Sequence, residues 1–209
     1  MIIRPLRAAP YEPTLTGMRD FTAGRGDDTP DEIWLIEHPS VFTQGLAGKV
    51  EHVLTPGSIP IFRTERGGQV TYHGPGQVVA YTLIDLRRHR LGVRDLVCRL
   101  EAAAIETCRD WGVEVIRKPG APGLYRTDPD GTPGAKIASL GLKITRGCSY
   151  HGIALNVDMD LEPFGRINPC GYAGLPVTDL ARSGAHPAPE LQSVAQDFGQ
   201  RLADHIERP

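Results

Sequence analysis

Residues Glu32–Glu37 (Glu-Ile-Trp-Leu-Ile-Glu) form a short apolar run that ends at His38-Pro39. The pattern predicts a buried strand that stops where proline withholds a ladder donor. Segments 60–63 and 78–86 are rich in branched and aromatic residues and read as further strands, with a glycine-dense loop between them. Segment 40–48 reads as a loop. From 93 to 111, Leu96, Leu100, Ala104, Cys108 and Trp111 recur at helical spacing with charged residues between them, and Gly112 supplies the stop. Cys108 is therefore expected in the core, and Cys98 more loosely so. Segments 113–117, 123–126, 135–143 and 152–157 read as strands, with the turn Asp128-Pro129-Asp130-Gly131 between two of them. Segment 188–206 carries Leu191, Val194, Phe198, Leu202 and Ile206 on one helical face. Strands dominate, with a few helices and no repeat or linker, so the chain is expected to be one domain over 1–209.

Composition narrows the function classes. The 209 residues are 40% hydrophobic and 23% charged, the balance of an ordinary globular protein with a sizeable core. A formal net charge of -2 gives no field for nucleic acid or an anionic membrane. No apolar run approaches the roughly 18 residues of a membrane span, and a cytoplasmic location is expected. Locally, Arg87-Arg88-His89-Arg90 followed by Arg94 and Arg99 concentrates positive charge, either to dock an acidic partner or as a solvated helix entrance. Cys98, Cys108, Cys148 and Cys170 show no Cys-x-x-Cys spacing, so reduced thiols are expected. Cys148 and His151 lack the two further ligands that zinc would need, and no metal or cofactor is expected.

Three places carry candidate chemistry. Cys170 lies in Asn168-Pro169-Cys170-Gly171-Tyr172, where proline and glycine favour a tight bend; it is either a nucleophile or a small residue in a surface turn. The loop Arg66-Gly67-Gly68-Gln69-Val70-Thr71-Tyr72-His73-Gly74-Pro75-Gly76 sets four glycines around an arginine, a tyrosine and a histidine. Glycines let backbone N–H groups approach a ligand, while Tyr72 and His73 offer walls and hydrogen bonds. Lys136, flanked by small and apolar residues, is either a half-buried catalytic lysine or a strand-end lysine facing water. Asn156 either orients a reacting group or satisfies a turn. No nucleotide-binding signature accompanies these residues, which points to a substrate that arrives already activated.

Taken together, 66–77 and Arg166-Ile167-Asn168-Pro169-Cys170-Gly171-Tyr172-Ala173-Gly174, with Ile36-Glu37-His38-Pro39, Phe42-Thr43-Gln44-Gly45 and Gly141-Leu142-Lys143-Ile144, resemble the octanoyltransferases of lipoate biosynthesis over most of the chain. The resemblance implies an α/β (α+β) fold with a mixed β-sheet flanked by helices, similar to the catalytic domain of biotin and lipoate protein ligases. It implies a transfer of octanoate from octanoyl-acyl carrier protein to the lysine of lipoyl domains, those of 2-oxoacid dehydrogenase E2 subunits and the glycine cleavage H protein. Cys170 would be the acyl-thioester nucleophile and Lys136 its proton partner. The matching substrate-binding stretches are 66–73, then Ser139, Leu140 and Gly141, then Gly152, Ile153 and Ala154. Backbone N–H groups near Gly171 or in the glycine-rich loop would hold the oxyanion. An ammonium about 4 Å from a thiolate, at an effective dielectric near 20, contributes on the order of 4 kcal/mol before desolvation. The alternative is an ATP-dependent lipoate or biotin ligase of the same fold, which would have no use for Cys170.

Overall fold

The computed structural model describes residues 1–208. The chain runs β1 (Ile2–Ala8), α1 (Tyr11–Ala23), β2 (Glu32–Glu37), β3 (Val41–Gln44), β4 (Ile61–Arg63), β5 (Val70–His73), β6 (Gln77–Leu83), α2 (Val93–Asp110), β7 (Val115–Lys118), β8 (Ala121–Thr127), β9 (Pro133–Thr145), β10 (Cys148–Asn156) and α3 (Leu191–Glu207). Seven strands form one sheet in the order β1-β2-β6-β10-β9-β8-β7, and three form a second in the order β4-β3-β5. β1 is parallel to β2 and β3 to β4, while the other pairs are antiparallel. The fold is the expected mixed sheet with flanking helices.

The central strands are covered on both faces. Val78 and Ala80 of β6 and Ile153 and Leu155 of β10 meet α2 and α3 on one side, through Leu96, Leu100, Phe198 and Leu202. Val79, Tyr81 and Leu83 alternate to the other side, where Leu15 and Met18 of α1 cover them. Burial on both faces is why 78–86 reads as one apolar run instead of an alternating strand. The small sheet has its own cluster, in which Phe42, Val70 and Tyr72 pack with Phe164 and Ile167.

Several elements depart from the sequence expectation. β1 and α1 have no forerunner there. α1 begins after Pro10 and contains Pro13 and Gly17, so breakers mask the spacing of its buried Tyr11, Leu15 and Met18. At Gly17 the Trp34 ring lies 3.6 Å from where a Cβ would stand, ordinary van der Waals contact, so α1 packs directly against that ring. β3, between Ser40 and Gly45, and β5, between Gln69 and Gly74, are four residues each and occupy segments expected as loops. Cys108 is in the core as expected, but Cys98 is exposed, because it sits on the outward side of α2.

Four histidines lie almost wholly inside; His205 (6% exposed) is on α3, and the other three, His38 (1%), His73 (6%) and His151 (1%), lie in or beside the sheets. His38 donates from Nδ1 to the Ala9 carbonyl (2.7 Å), leaving Nε2 to accept from the Tyr81 hydroxyl (2.7 Å). His73 Nδ1 donates to Gln77 Oε1 (2.7 Å). Burial pushes His38 down to about 4 and His73 and His151 to about 3, so all three are neutral at pH 7. Between pH 7 and pH 5 the unfolded chain takes up protons, near its ordinary 6.5, that the folded chain refuses. Stability therefore falls as pH drops through that window, by roughly 2 kcal/mol for each histidine. Glu65 and Asp85, held at about 2 by Arg19 and Arg87 respectively, keep their contribution throughout this window. Urea unfolding at pH 7 and pH 5 measures the change, and equal midpoints and slopes at the two pH values contradict neutral burial.

Candidate active site

Pro169–Gly171 folds as a single 3-10 turn between the strands and α3. Cys170 adopts φ 56 and ψ 16, left-handed backbone that a residue with a Cβ avoids, and Gly171 follows at φ 81. Holding a non-glycine residue there costs on the order of 1–3 kcal/mol, so the flanks must fix it. Upstream, Asn168 N donates to the His52 carbonyl (2.8 Å), while Leu54 N and Thr55 N donate to the Arg166 carbonyl (2.9 and 3.1 Å). Downstream, Lys136 N donates to the Pro176 carbonyl (2.8 Å) and Thr178 N to the Lys136 carbonyl (2.9 Å). The segment that carries Cys170 is thus stitched to the backbone of Lys136 itself. Gly171 N donates to Asn168 O (2.9 Å) and Tyr172 N to Pro169 O (3.1 Å), so neither matches the expected oxyanion donor near Gly171: both are spent on closing the turn.

Lys136 is 2% exposed, which excludes the water-facing alternative. Its Nζ donates to the Pro122 carbonyl (2.7 Å) and the Tyr125 hydroxyl (3.1 Å), and lies 4.6 Å from the centre of the Tyr125 ring. Burial lowers its pKa, and Cys170 and Glu101 pull it back up. Gly123, at φ +107, makes the fit possible: a Cβ there would stand 2.3 Å from the Ala138 carbonyl and 2.9 Å from Nζ. Burial also pushes Tyr125 up to about 12, so it remains a neutral phenol that accepts from the ammonium.

Lys136 and Cys170 open onto a cavity of about 360 Å³, within the size range of small-ligand sites. The 66–73 stretch lines it except for Tyr72, and so do Ser139, Leu140, Gly141, Gly152, Ile153 and Ala154. Tyr72 alternates with Thr71 and His73 along β5 and turns away, packing on Phe42 and Phe164 and bonding Ser40 Oγ (2.9 Å), so it forms no wall of the cavity. Gly74 and Gly76 serve packing in place of ligand approach, since a Cβ would stand 2.1 Å from the Tyr72 hydroxyl and 1.9 Å from the Asp158 carbonyl respectively. Arg66 is a buried cation with no acidic partner among the described residues. Its guanidinium instead donates to the carbonyls of Thr43 (2.6 Å), Gln69 (2.9 Å) and Gly67 (2.9 Å), holding the glycine-rich loop against β3. Asn156 is structural: its amide donates to Thr178 O (2.8 Å) and its oxygen accepts from Gln77, which in turn orients His73.

Sequence reasoning missed Tyr11 and Tyr81 at the buried end of the cavity, Val93 and Val97 near its mouth, and Tyr125 beside Lys136. Tyr125 is two residues from Gly123, and that spacing was its one available signal. The basic run is held by the fold: Arg87 pairs with Asp85 (2.8 Å), while Arg88 and His89 lie against Asp31 (3.2 and 2.7 Å), a carboxylate shared with the buried Arg25. Arg99 binds backbone carbonyls at the end of α3. Arg90 and Arg94, next to Val93, are exposed and have no acidic partner among the described residues. No helix of the described residues is long and apolar enough to cross a membrane.

The family model of the lipoyl protein ligase A/B catalytic domain matches residues 13–206. An octanoyltransferase of Pseudomonas entomophila (strain L48) is 57% identical over 205 residues, which cover 98% of this chain and 92% of the relative. A bi-partite lipoate protein ligase from Thermoplasma acidophilum superposes with a TM-score of 0.71 at 14% identity, over 99% of this chain and 84% of the other. The biotin protein ligase of Aquifex aeolicus does so with a TM-score of 0.55 at 10% identity, over 99% and 69%. The ligases share the fold; the sequence match carries the closer relation. With a family model spanning nearly the whole chain and a full-length relative at that identity, the chain belongs to the lipoyl protein ligase A/B catalytic-domain family, among its octanoyltransferases.

Proposed function

We propose that the protein, acting as one catalytic domain in the cytoplasm, transfers octanoyl from octanoyl-acyl carrier protein to the lysine of lipoyl domains through an acyl-thioester on Cys170. The observation that carries this reading is the buried Lys136 ammonium, tied through its own backbone to the segment of Cys170 at the edge of the cavity. The Cys170 thiolate attacks the carbonyl carbon of the carrier thioester. The tetrahedral oxyanion collapses, the bond to the phosphopantetheine sulfur breaks, and Lys136 gives its proton to that departing thiolate. Lys136 is then neutral, and its lowered pKa makes this form accessible. In the second half the acceptor lysine amine attacks the Cys170 thioester. Lys136 takes a proton from that amine, the amide forms, and the Cys170 thiolate leaves. One ammonium serves both halves, and the cycle closes with the ion pair restored.

The cavity supplies the rest. Leu140, Leu142, Ala154 and Val79 give an apolar wall for the acyl chain, while Arg66–Thr71 and Ser139–Gly141 hold its carbonyl end near Cys170. The carrier thioester is already activated, so thioester exchange is nearly balanced, amide formation is downhill, and the cycle calls for no nucleotide. Arg90 and Arg94, beside the mouth, form the face for an acidic carrier in place of the paired Arg87 and Arg88.

Incubation with octanoyl-acyl carrier protein, without ATP, should place an octanoyl group on the Cys170 peptide by mass spectrometry, and Cys170→Ala should carry none; an unmodified Cys170 in the native protein removes the transferase reading. Lys136→Arg keeps the charge but cannot cycle a proton, so kcat should fall by about 10²-fold or more while carrier binding changes far less. Equal losses in both contradict the proton role. Arg94→Glu should raise the KM for the carrier at low salt and leave kcat in place; an unchanged KM removes that docking face.

A further inference from the structure

Glu101 stands on α2 between Leu100 and the buried Ala103 and Ala104, and it is only 6% exposed. A carboxylate so placed needs partners. Its Oε1 accepts from Gly123 N–H (3.0 Å) and its Oε2 from Arg117 Nε (2.8 Å). Gly123 is the left-handed residue packed directly under the Lys136 Nζ, and its neighbour Pro122 supplies the carbonyl that receives that ammonium. Resting on the reading of Lys136 as the proton carrier, we propose that Glu101 is a positioning residue for Lys136: it anchors, through Gly123 N–H, the β8 bend on which the ammonium sits and supplies the carboxylate that faces it.

The other groups facing the ammonium do not replace this one. Cys170 and Tyr172 approach from the 3-10 turn, and Tyr125 from β8, with Lys118 of β7 against the same ring (5.5 Å). Acylated Cys170 carries no charge, and Tyr125, pushed up to about 12 by burial, is a neutral phenol. Glu101 is the carboxylate that stays in place through both halves of the cycle. Arg117, with a side chain 46% exposed, shares that carboxylate from the solvent side.

The chain has four lysines, Lys49, Lys118, Lys136 and Lys143, so lysine labelled with carbon-13 gives four titrating resonances. Loss of one in Lys136→Arg assigns the site. Glu101→Gln keeps an acceptor for Gly123 N–H but removes the charge. It should lower the Lys136 midpoint by about one pH unit and move the basic limb of kcat/KM for the carrier thioester with it. The other three lysines should stay where they are. Arg117→Gln, a change at the surface, should move the same midpoint upward. An unmoved Lys136 midpoint in either folded variant overturns the proposal. The lysine titration needs no acyl donor, so an unacylated Cys170 would remove the transferase reading and leave this result standing.

Discussion

A buried ammonium constrains everything around it. Lys136 is 2% exposed, and a cation out of water is tolerated only where acceptors reach it. The Pro122 carbonyl and the Tyr125 hydroxyl and ring meet that need, and each demands something of the fold. β8 must bend at Gly123 to bring the carbonyl under Nζ, and the register between β8 and β9 shifts just beyond it, between Leu124 and Tyr125. The loop from Cys170 must return along β9, which it does through two backbone hydrogen bonds to Lys136. Sheet, turn and helix α2 meet at one side chain.

Another wall of the cavity follows a related logic with a different outcome. Arg66 is buried without a carboxylate, and carbonyl dipoles satisfy it in place of a counter-ion. That unbalanced positive charge, together with burial, keeps His73 and His151 neutral. The result is a pocket that sets the Lys136 ammonium beside Cys170 and surrounds the buried Arg66 cation with histidines held neutral. The ligases share this fold at 14% and 10% identity, so the fold alone does not set the chemistry, which falls to the side chains placed on it.

The parts legible in the chain were those whose signal is local. Val93–Asp110 showed itself by periodicity, Glu32–Glu37 by an apolar run closed by proline, and the β8–β9 hairpin by Asp-Pro-Asp-Gly. α1 was illegible because Pro10, Pro13 and Gly17 break its pattern, and only packing on Trp34 and β10 makes it a helix. The glycines of 66–76 were visible, but their uses were not. Gly74 and Gly76 yield to the Tyr72 ring and the Asp158 backbone, neighbours that no local pattern reveals. The arginine run looked like a free basic patch because Asp31, which holds Arg88 and His89 together with the buried Arg25, lies more than fifty residues from both in the chain.

By itself the sequence determined that Pro169-Cys170-Gly171 would bend tightly, that Lys136 would lie among small and apolar neighbours, and that strands would dominate with a few helices. These follow from backbone torsions, side-chain size and periodicity, all properties of adjacent residues. Tertiary structure alone decided that the bend would be pinned to the backbone of Lys136, that Glu101 would stand behind the ammonium, and that Tyr72 would leave the cavity while Tyr125 joined it. Those outcomes depend on strand register and on a helix crossing a sheet, where a shift of one residue exchanges the faces, and no segment carries that information alone.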